Sequence, residues 1–194
     1  MADDKWKIMY KSIVLSGPVA SGTSTAAKSL AEKFNLELHI AGDFFRKYIQ
    51  DHNIPLPNKE EIPDEIEKQV DEDLTNLLKD ASGVVVDALY AGYFTHEIPH
   101  VLKVLLICDE EERIKRALRR HHTHLETAED VIKRDRAHDK KFRKLYADEN
   151  FLDPKFFDLV IDTTKTQPED VVEKISEKFG ENNPVIASTF DDSV

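Results

Sequence analysis

The stretch "SGPVASGTST", Ser16 to Thr25, sets Gly17 and Gly22 at the spacing of a phosphate-gripping loop of the form G-x-x-x-x-G-K-[ST]. Such a loop presents several backbone N–H groups to phosphate oxygens at a helix N-terminus, and its glycines let the backbone come close. Ser24 stands where the hydroxyl that meets Mg2+ belongs. The usual lysine position holds Thr23. Lysine adds a point charge near the transferred phosphoryl group. Without it a cradle of Gly17, Ala20, Ser21, Gly22, Thr23, Ser24 and Thr25 remains, and cations from elsewhere must supply the charge. A glycine-bearing strand-to-helix turn with no ligand has the same spacing, so the loop needs partners to be read as a site.

Three arginines, Arg113, Arg116 and Arg120, recur at i, i+3 and i+7 on one helical face, and a second charged helix adds Arg134, Arg136, Lys140 and Lys141. Phosphoryl transfer builds negative charge on oxygens and requires cations close by. Beside a phosphate loop these residues read as a closing lid; alone they read as a solvated charged face. Asp87 ends the β-branched run "VVVD". At the carboxyl end of a parallel strand it would hold Mg2+ directly or through water. Asp43 and Arg46, in "AGDFFRKY", follow the second strand, and Arg46 has the geometry to take a phosphate bidentately. His121, His122, His124 and His138 read as polar lid surface, because no cysteine or carboxylate frame accompanies them for zinc.

These residues need a scaffold. "KSIVLSG" predicts a strand over Ser12 to Leu15, and "TSTAAKSLAEKFN" a helix packing Ala26, Ala27, Leu30, Ala31 and Phe34 on a sheet. "LELHIAG" reads as a second strand, "DFFRKYIQDHN" as a helix, and "IPLPNKEEIPDE" as a break. "EIEKQVDEDLTNLLKD" is an amphipathic helix. "GVVVDALY" and "VLKVLLIC" read as strands buried on both faces, and "FFDLVID" as the last strand, followed by the helix "PEDVVEKISEKF". Strand–helix alternation predicts an α/β three-layer domain with a mainly parallel five-stranded sheet over 1–180, then a flexible tail over 181–194.

Bulk composition agrees: 194 residues, 40% hydrophobic and 34% charged, suit one globular domain with a lid. A net charge of −11 argues against nucleic acid as a partner. The single cysteine, Cys108 in "VLLIC", allows no internal disulfide and reads as a buried inert thiol. No apolar run approaches the roughly 20 residues that span a bilayer, so no membrane partner is expected. "MADDKWKIMYK" lacks a signal-peptide core, and a cytoplasmic location is expected.

Together the motifs resemble the nucleoside monophosphate kinases, most of all the cytidylate kinases of archaeal type, from about Ser12 to Phe179. That branch commonly reads Gly-Thr-Thr where other kinases have Gly-Lys, which Gly22-Thr23-Ser24 resembles. The resemblance implies a P-loop NTPase fold with a helical lid over about 113–146 and an acceptor-side helical insert over about 43–80. It implies ATP and Mg2+, the latter at Ser24 and Asp87. It also implies Arg46 on the monophosphate, with Asp43, Asp87 and Leu89 on the acceptor side. Arg113, Arg116, Arg120 and Arg134 become the catalytic cations, Lys141 a further basic contact, and Thr163, Thr164 and Lys165 neighbours of the adenine. One departure is plain. The family segment acidic–Gly–Arg–Leu–Ala–Gly reads Asp87-Ala88-Leu89-Tyr90-Ala91-Gly92, so Leu89 stands where an arginine would face the acceptor. The expected reaction is ATP-dependent phosphoryl transfer to a small phosphorylated molecule, CMP or dCMP first, by a monomer. A kinase for another acceptor and an ATP-binding module with little catalysis are the alternatives.

Overall fold

The runs of Val, Ile and Leu form a sheet in the computed structural model, which describes residues 9–54, 61–80, 82–119 and 127–180. Its five strands are β1 (Ser12–Ser16), β2 (Glu37–Ile40), β3 (Val84–Asp87), β4 (Val101–Ile107) and β5 (Leu159–Asp162). They lie in the order β2-β3-β1-β4-β5, and every pairing is parallel. Parallel strands need crossover helices, which cover both faces and leave the inner strands apolar at consecutive positions. Ile13, Leu15, Val85, Leu102, Val104 and Leu106 accordingly pack on α1 (Thr23–Phe34) and α7 (Pro168–Gly180). Val14, Val84 and Val86 pack on the opposite side with α2 (Ala41–Asp51), α3 (Asp64–Lys79) and α4 (Ala91–Phe94).

Two charged helices complete the fold, α5 (Glu110–Leu118) and α6 (Ala128–Leu145). Thr127 and Asp130 start α6 as a capping box: the Asp130 N–H donates to Thr127 Oγ1 at 3.2 Å, and the Thr127 N–H to Asp130 Oδ2 at 2.9 Å. A small apolar cluster of Val19, Ala20, Ile114, Ala117 and Val131 docks both helices on the loop after β1. A second cluster, built on Tyr90, Phe142 and Phe151, joins α6 to the segment after β3. Arg120, His121, His122, His124 and the tail over 181–194 lie outside the described residues.

The structure corrects two expectations. α2 begins at Ala41, directly after β2, because Ala41 is buried against the sheet; Asp43 and Arg46 therefore sit in its first two turns. Cys108 is only partly buried: β4 ends at Ile107, itself 41% exposed, and the chain has left the core by the next residue.

Gly17 fixes the approach of the loop to β4. A Cβ there would lie 2.4 Å from the Leu106 carbonyl oxygen and 2.5 Å from Ser21 Oγ. Backbone does not yield as the end of a long side chain does, so Gly17→Ala must displace the loop. The expected cost is about 1–3 kcal/mol, read as a lower urea midpoint. An unchanged midpoint would show that the loop relaxes freely.

Candidate active site

β1 and β3 are neighbours in register, with Leu15 level with Asp87. Their carboxyl ends therefore bring the loop 17–22 and Asp87 side by side, where parallel α/β sheets gather ligands. The N-cap of α1, Gly22, has φ 104° and contributes no capping side chain, which leaves the leading amides of the helix for an outside acceptor. Ala20 holds φ 66°, a left-handed conformation uncommon for a residue with a Cβ. Ser21 Oγ is buried with no hydrogen-bond partner among the described residues. The loop is tied down from below: Thr163 Oγ1 donates to the Ser21 carbonyl at 2.8 Å, and Ser16 Oγ to the Ala88 carbonyl at 2.7 Å.

Asp87 is buried, and burial pushes its carboxyl above the ordinary value of 3.8; hydrogen bonds from Ser24 and Thr23 and the charge of Arg46 pull it back. Ser24 donates its hydroxyl to Asp87 Oδ2. Thr23, in the lysine position, is thus turned to the same carboxylate.

The loop lies between two clefts. One is lined by the loop, Arg46 and Phe45 of α2, Asp71 of α3, the segment Asp87–Tyr90, and Arg134 and His138 of α6. Arg46, Arg134 and His138 also line a recess beside it with Ile49 and Ile62. The other cleft is lined by Ser21, Thr25, Arg116, Arg119 and the segment Thr163–Gln167. Asp43 forms an ion pair with Arg46 three residues on.

The basic residues of α5 and α6 part company. Arg116 lies in the second cleft, where it donates to the Thr163 carbonyl at 2.6 Å and to Glu112 at 3.0 Å. Arg113 lines neither cleft. It is 6% exposed and donates to the Val19 carbonyl at 2.9 Å and to Asp135 Oδ2 at 2.6 Å, while Asp135 Oδ1 accepts from the Val19 N–H at 3.1 Å. Arg113 therefore braces the loop against α6. Lys141 is buried and turns to the Ile62 carbonyl and to Asp64 at 3.3 Å, so it anchors the start of α3 and lines neither cleft. Leu89 lines the first cleft, backed by the aromatic cluster.

Phe45, Asp71, Arg119 and His138 enter the clefts without having been singled out for them. His138 follows Arg134 at i+4 and Arg119 follows Arg116 at i+3, spacings that place each pair on one helical face. Asp71 has no such signal in its acid-rich helix. Among the described residues no group of three His, Cys, Asp or Glu side chains is placed to hold a metal ion.

A model of the cytidylate kinase-like family matches residues 41–165. The chain is 33% identical over 167 residues to a cytidylate kinase of Sulfolobus acidocaldarius, covering 84% of this chain and 91% of that one. It is 35% identical over 169 residues to a cytidylate kinase of Ignicoccus hospitalis, covering 84% and 95%. Among solved structures, a sugar kinase from Janibacter superposes with a TM-score of 0.62 at 18% identity, covering 91% of this chain and 98% of that one. A shikimate kinase from Acinetobacter baumannii superposes at 0.58 and 19% identity, covering 90% and 95%. At such identities the likeness is one of fold, that of the P-loop kinases.

Proposed function

The chain belongs to the cytidylate kinase-like family of nucleoside monophosphate kinases, and on that premise we propose that it moves the γ-phosphoryl group of ATP onto CMP or dCMP. The observation that carries this reading is the phosphate loop set between two clefts, one holding Arg46, Arg134 and Asp87, the other Thr163, Thr164 and Lys165. Two substrates reacting in line need such an arrangement, with the transferred group over the loop.

The residues present fit Mg·ATP. Gly22 opens the helix N-terminus, and Ser21 Oγ is a buried hydroxyl with unused capacity. Ser24 and Asp87 offer the hard oxygens that Mg2+ prefers, and Mg2+ bound to a nucleotide needs few ligands from protein. When bound, Mg·ATP supplies the phosphoryl group and a divalent charge over its oxygens. The protein does the rest. Amides of Gly17, Ala20, Gly22, Thr23, Ser24 and Thr25 hold the donor phosphates, and Ser21, whose N–H donates to the Pro18 carbonyl at 3.1 Å, adds its hydroxyl. Thr163, Thr164, Lys165 and Arg116 flank the donor base. Arg46, steadied by Asp43, grips the acceptor phosphate, and Arg134 adds positive charge where the two phosphates meet. Arg113 acts through the loop it braces. An ionised phosphate acceptor needs no general base, and α5 and α6 exclude water on closing.

Membership of a phosphotransferase family favours catalysis over a nucleotide-binding module with little of it. Leu89 favours a second reading, a monophosphate acceptor other than CMP, because it makes one cleft wall apolar. An ADP-release assay over CMP, dCMP, UMP, AMP and GMP separates the two. CMP and dCMP are expected to give the fastest release. A faster rate with another monophosphate would support the second reading, and no stimulation by any acceptor would overturn both.

A further inference from the structure

We propose that Asp135 is a positioning residue that couples the two substrates, so that a monophosphate seated in the first cleft tightens the hold of the phosphate loop on Mg·ATP. This rests on the kinase reading of the site. Asp135 follows Arg134 on α6 and comes three residues before His138, and those two side chains carry α6 into the wall of the first cleft. Asp135 itself meets the loop. Its Oδ1 accepts from the Val19 N–H at 3.1 Å and its Oδ2 from Arg113 at 2.6 Å, while Arg113 donates to the Val19 carbonyl at 2.9 Å. Both polar groups of the Val19 backbone are thus held by side chains of α5 and α6, 94 and 116 residues further along the chain.

The clamp bears on the strained point of the loop. The Val19 carbonyl and the Ala20 N–H belong to one peptide plane, so holding the carbonyl aims the amide. Ala20 has φ 66°, which a residue with a Cβ keeps only where its surroundings fix it. Val131 of α6 and Ala117 of α5, both buried, pack on the same two loop residues. Arg113 is almost fully buried, yet its Nε has no hydrogen-bond partner among the described residues. A buried guanidinium with an unused donor is a poor stabiliser; what the pair supplies is the position of the loop. Two states follow, with Asp135 docked on Val19 or away from it. An acceptor packed against α6 favours the docked state, and so does a donor phosphate that needs the Ala20 amide. Two ligands that favour one state raise each other's affinity by the same factor.

Calorimetry with Mg2+ and a non-hydrolysable ATP analogue, alone and with saturating CMP, reads the coupling. Wild type is expected to bind the analogue about 10-fold more tightly when CMP is present. Asp135→Asn keeps the shape but can accept from Val19 only by setting its NH2 toward Arg113, and its ratio of the two affinities is expected to fall to about 1. A brace that serves folding alone would lower the thermal midpoint and leave that ratio at the wild-type value, which would overturn the assignment. A wild type that binds both ligands with no synergy overturns it too. A wild type that binds neither overturns the kinase reading beneath it, which is a separate failure. Should Asp135→Asn not fold, hydrogen exchange at the Val19 and Ala20 amides tests the intact protein. CMP alone is expected to slow it by about 10-fold, because the docked state closes the Val19 N–H on Asp135. Exchange left unchanged by bound CMP overturns the proposal.

Discussion

Arg134→Ala is expected to lower kcat by about 1,000-fold with little change in KM, whereas Arg46→Ala raises KM for the acceptor and lowers kcat less. The loop has no lysine, and the hydroxyl in its place is turned to Asp87. Charge for the transition state must come from another element. Arg113 lines neither cleft, Arg116 lines the second one, and Lys141 is buried against Ile62 and Asp64. Arg134 lines the cleft beside the loop and the recess beyond it. Its charge gains most when negative charge shifts onto the transferred group, so its loss falls on kcat. Arg46 lines the same cleft from α2, where the proposed function puts the acceptor. A phosphate is charged before and during transfer, so a group that only grips it acts on binding, and its loss falls on KM. Lysine is expected to restore part of kcat at position 134, where a point charge suffices, and little at position 46, where a planar fork is needed. Steady-state rates with each substrate varied, alongside circular dichroism for folding, decide it. Wild-type kcat in Arg134→Ala would move the catalytic charge to Arg119 or Arg120.

The phosphate loop and the sheet were legible because each is a local pattern. Glycine spacing marks the loop, and consecutive Val and Leu mark strands covered on both sides. The sequence also placed Arg113 and Arg116 on one helix. What it did not carry was which groups from distant parts of the chain would meet them. Asp135 and Val19 take Arg113, and Thr163 takes Arg116. Those partners come together only when the sheet has gathered the segments after β1 and β5, with α6, at the carboxyl ends of its strands. Asp71 was hidden for a related reason. In a helix dense with Asp and Glu, type and spacing do not say which acid turns inward. The facing Tyr146, 75 residues away, settles it. Lys141 shows the same limit with opposite charge: it reads as a lid cation and instead holds the start of α3.

Asp87→Asn is expected to make the unliganded protein more stable at neutral pH while lowering activity by at least about 100-fold. The carboxyl's folded-state pKa is raised above 3.8, chiefly by burial. Between that ordinary value and the raised one the folded chain binds more protons than the unfolded chain, so stability falls as pH rises through the window. Below about 3.8 the group is protonated in both states and costs nothing. Asparagine carries no such term. The mutant's advantage in thermal midpoint should therefore be absent at the acid end, grow through the window and persist to neutrality. Each kcal/mol corresponds to roughly 2–4 °C in a chain of this size. Mg·ATP reverses the order, because wild type offers the cation a carboxylate beside the Ser24 hydroxyl and the mutant an amide. Thermal melts from acid to neutral pH, with EDTA and then with Mg·ATP, check both halves. A wild type more stable than Asp87→Asn at neutral pH with EDTA would show that the bonds from Ser24 and Thr23 outweigh burial. The carboxylate would then be a structural support of the loop, with no cost left for a bound cation to relieve.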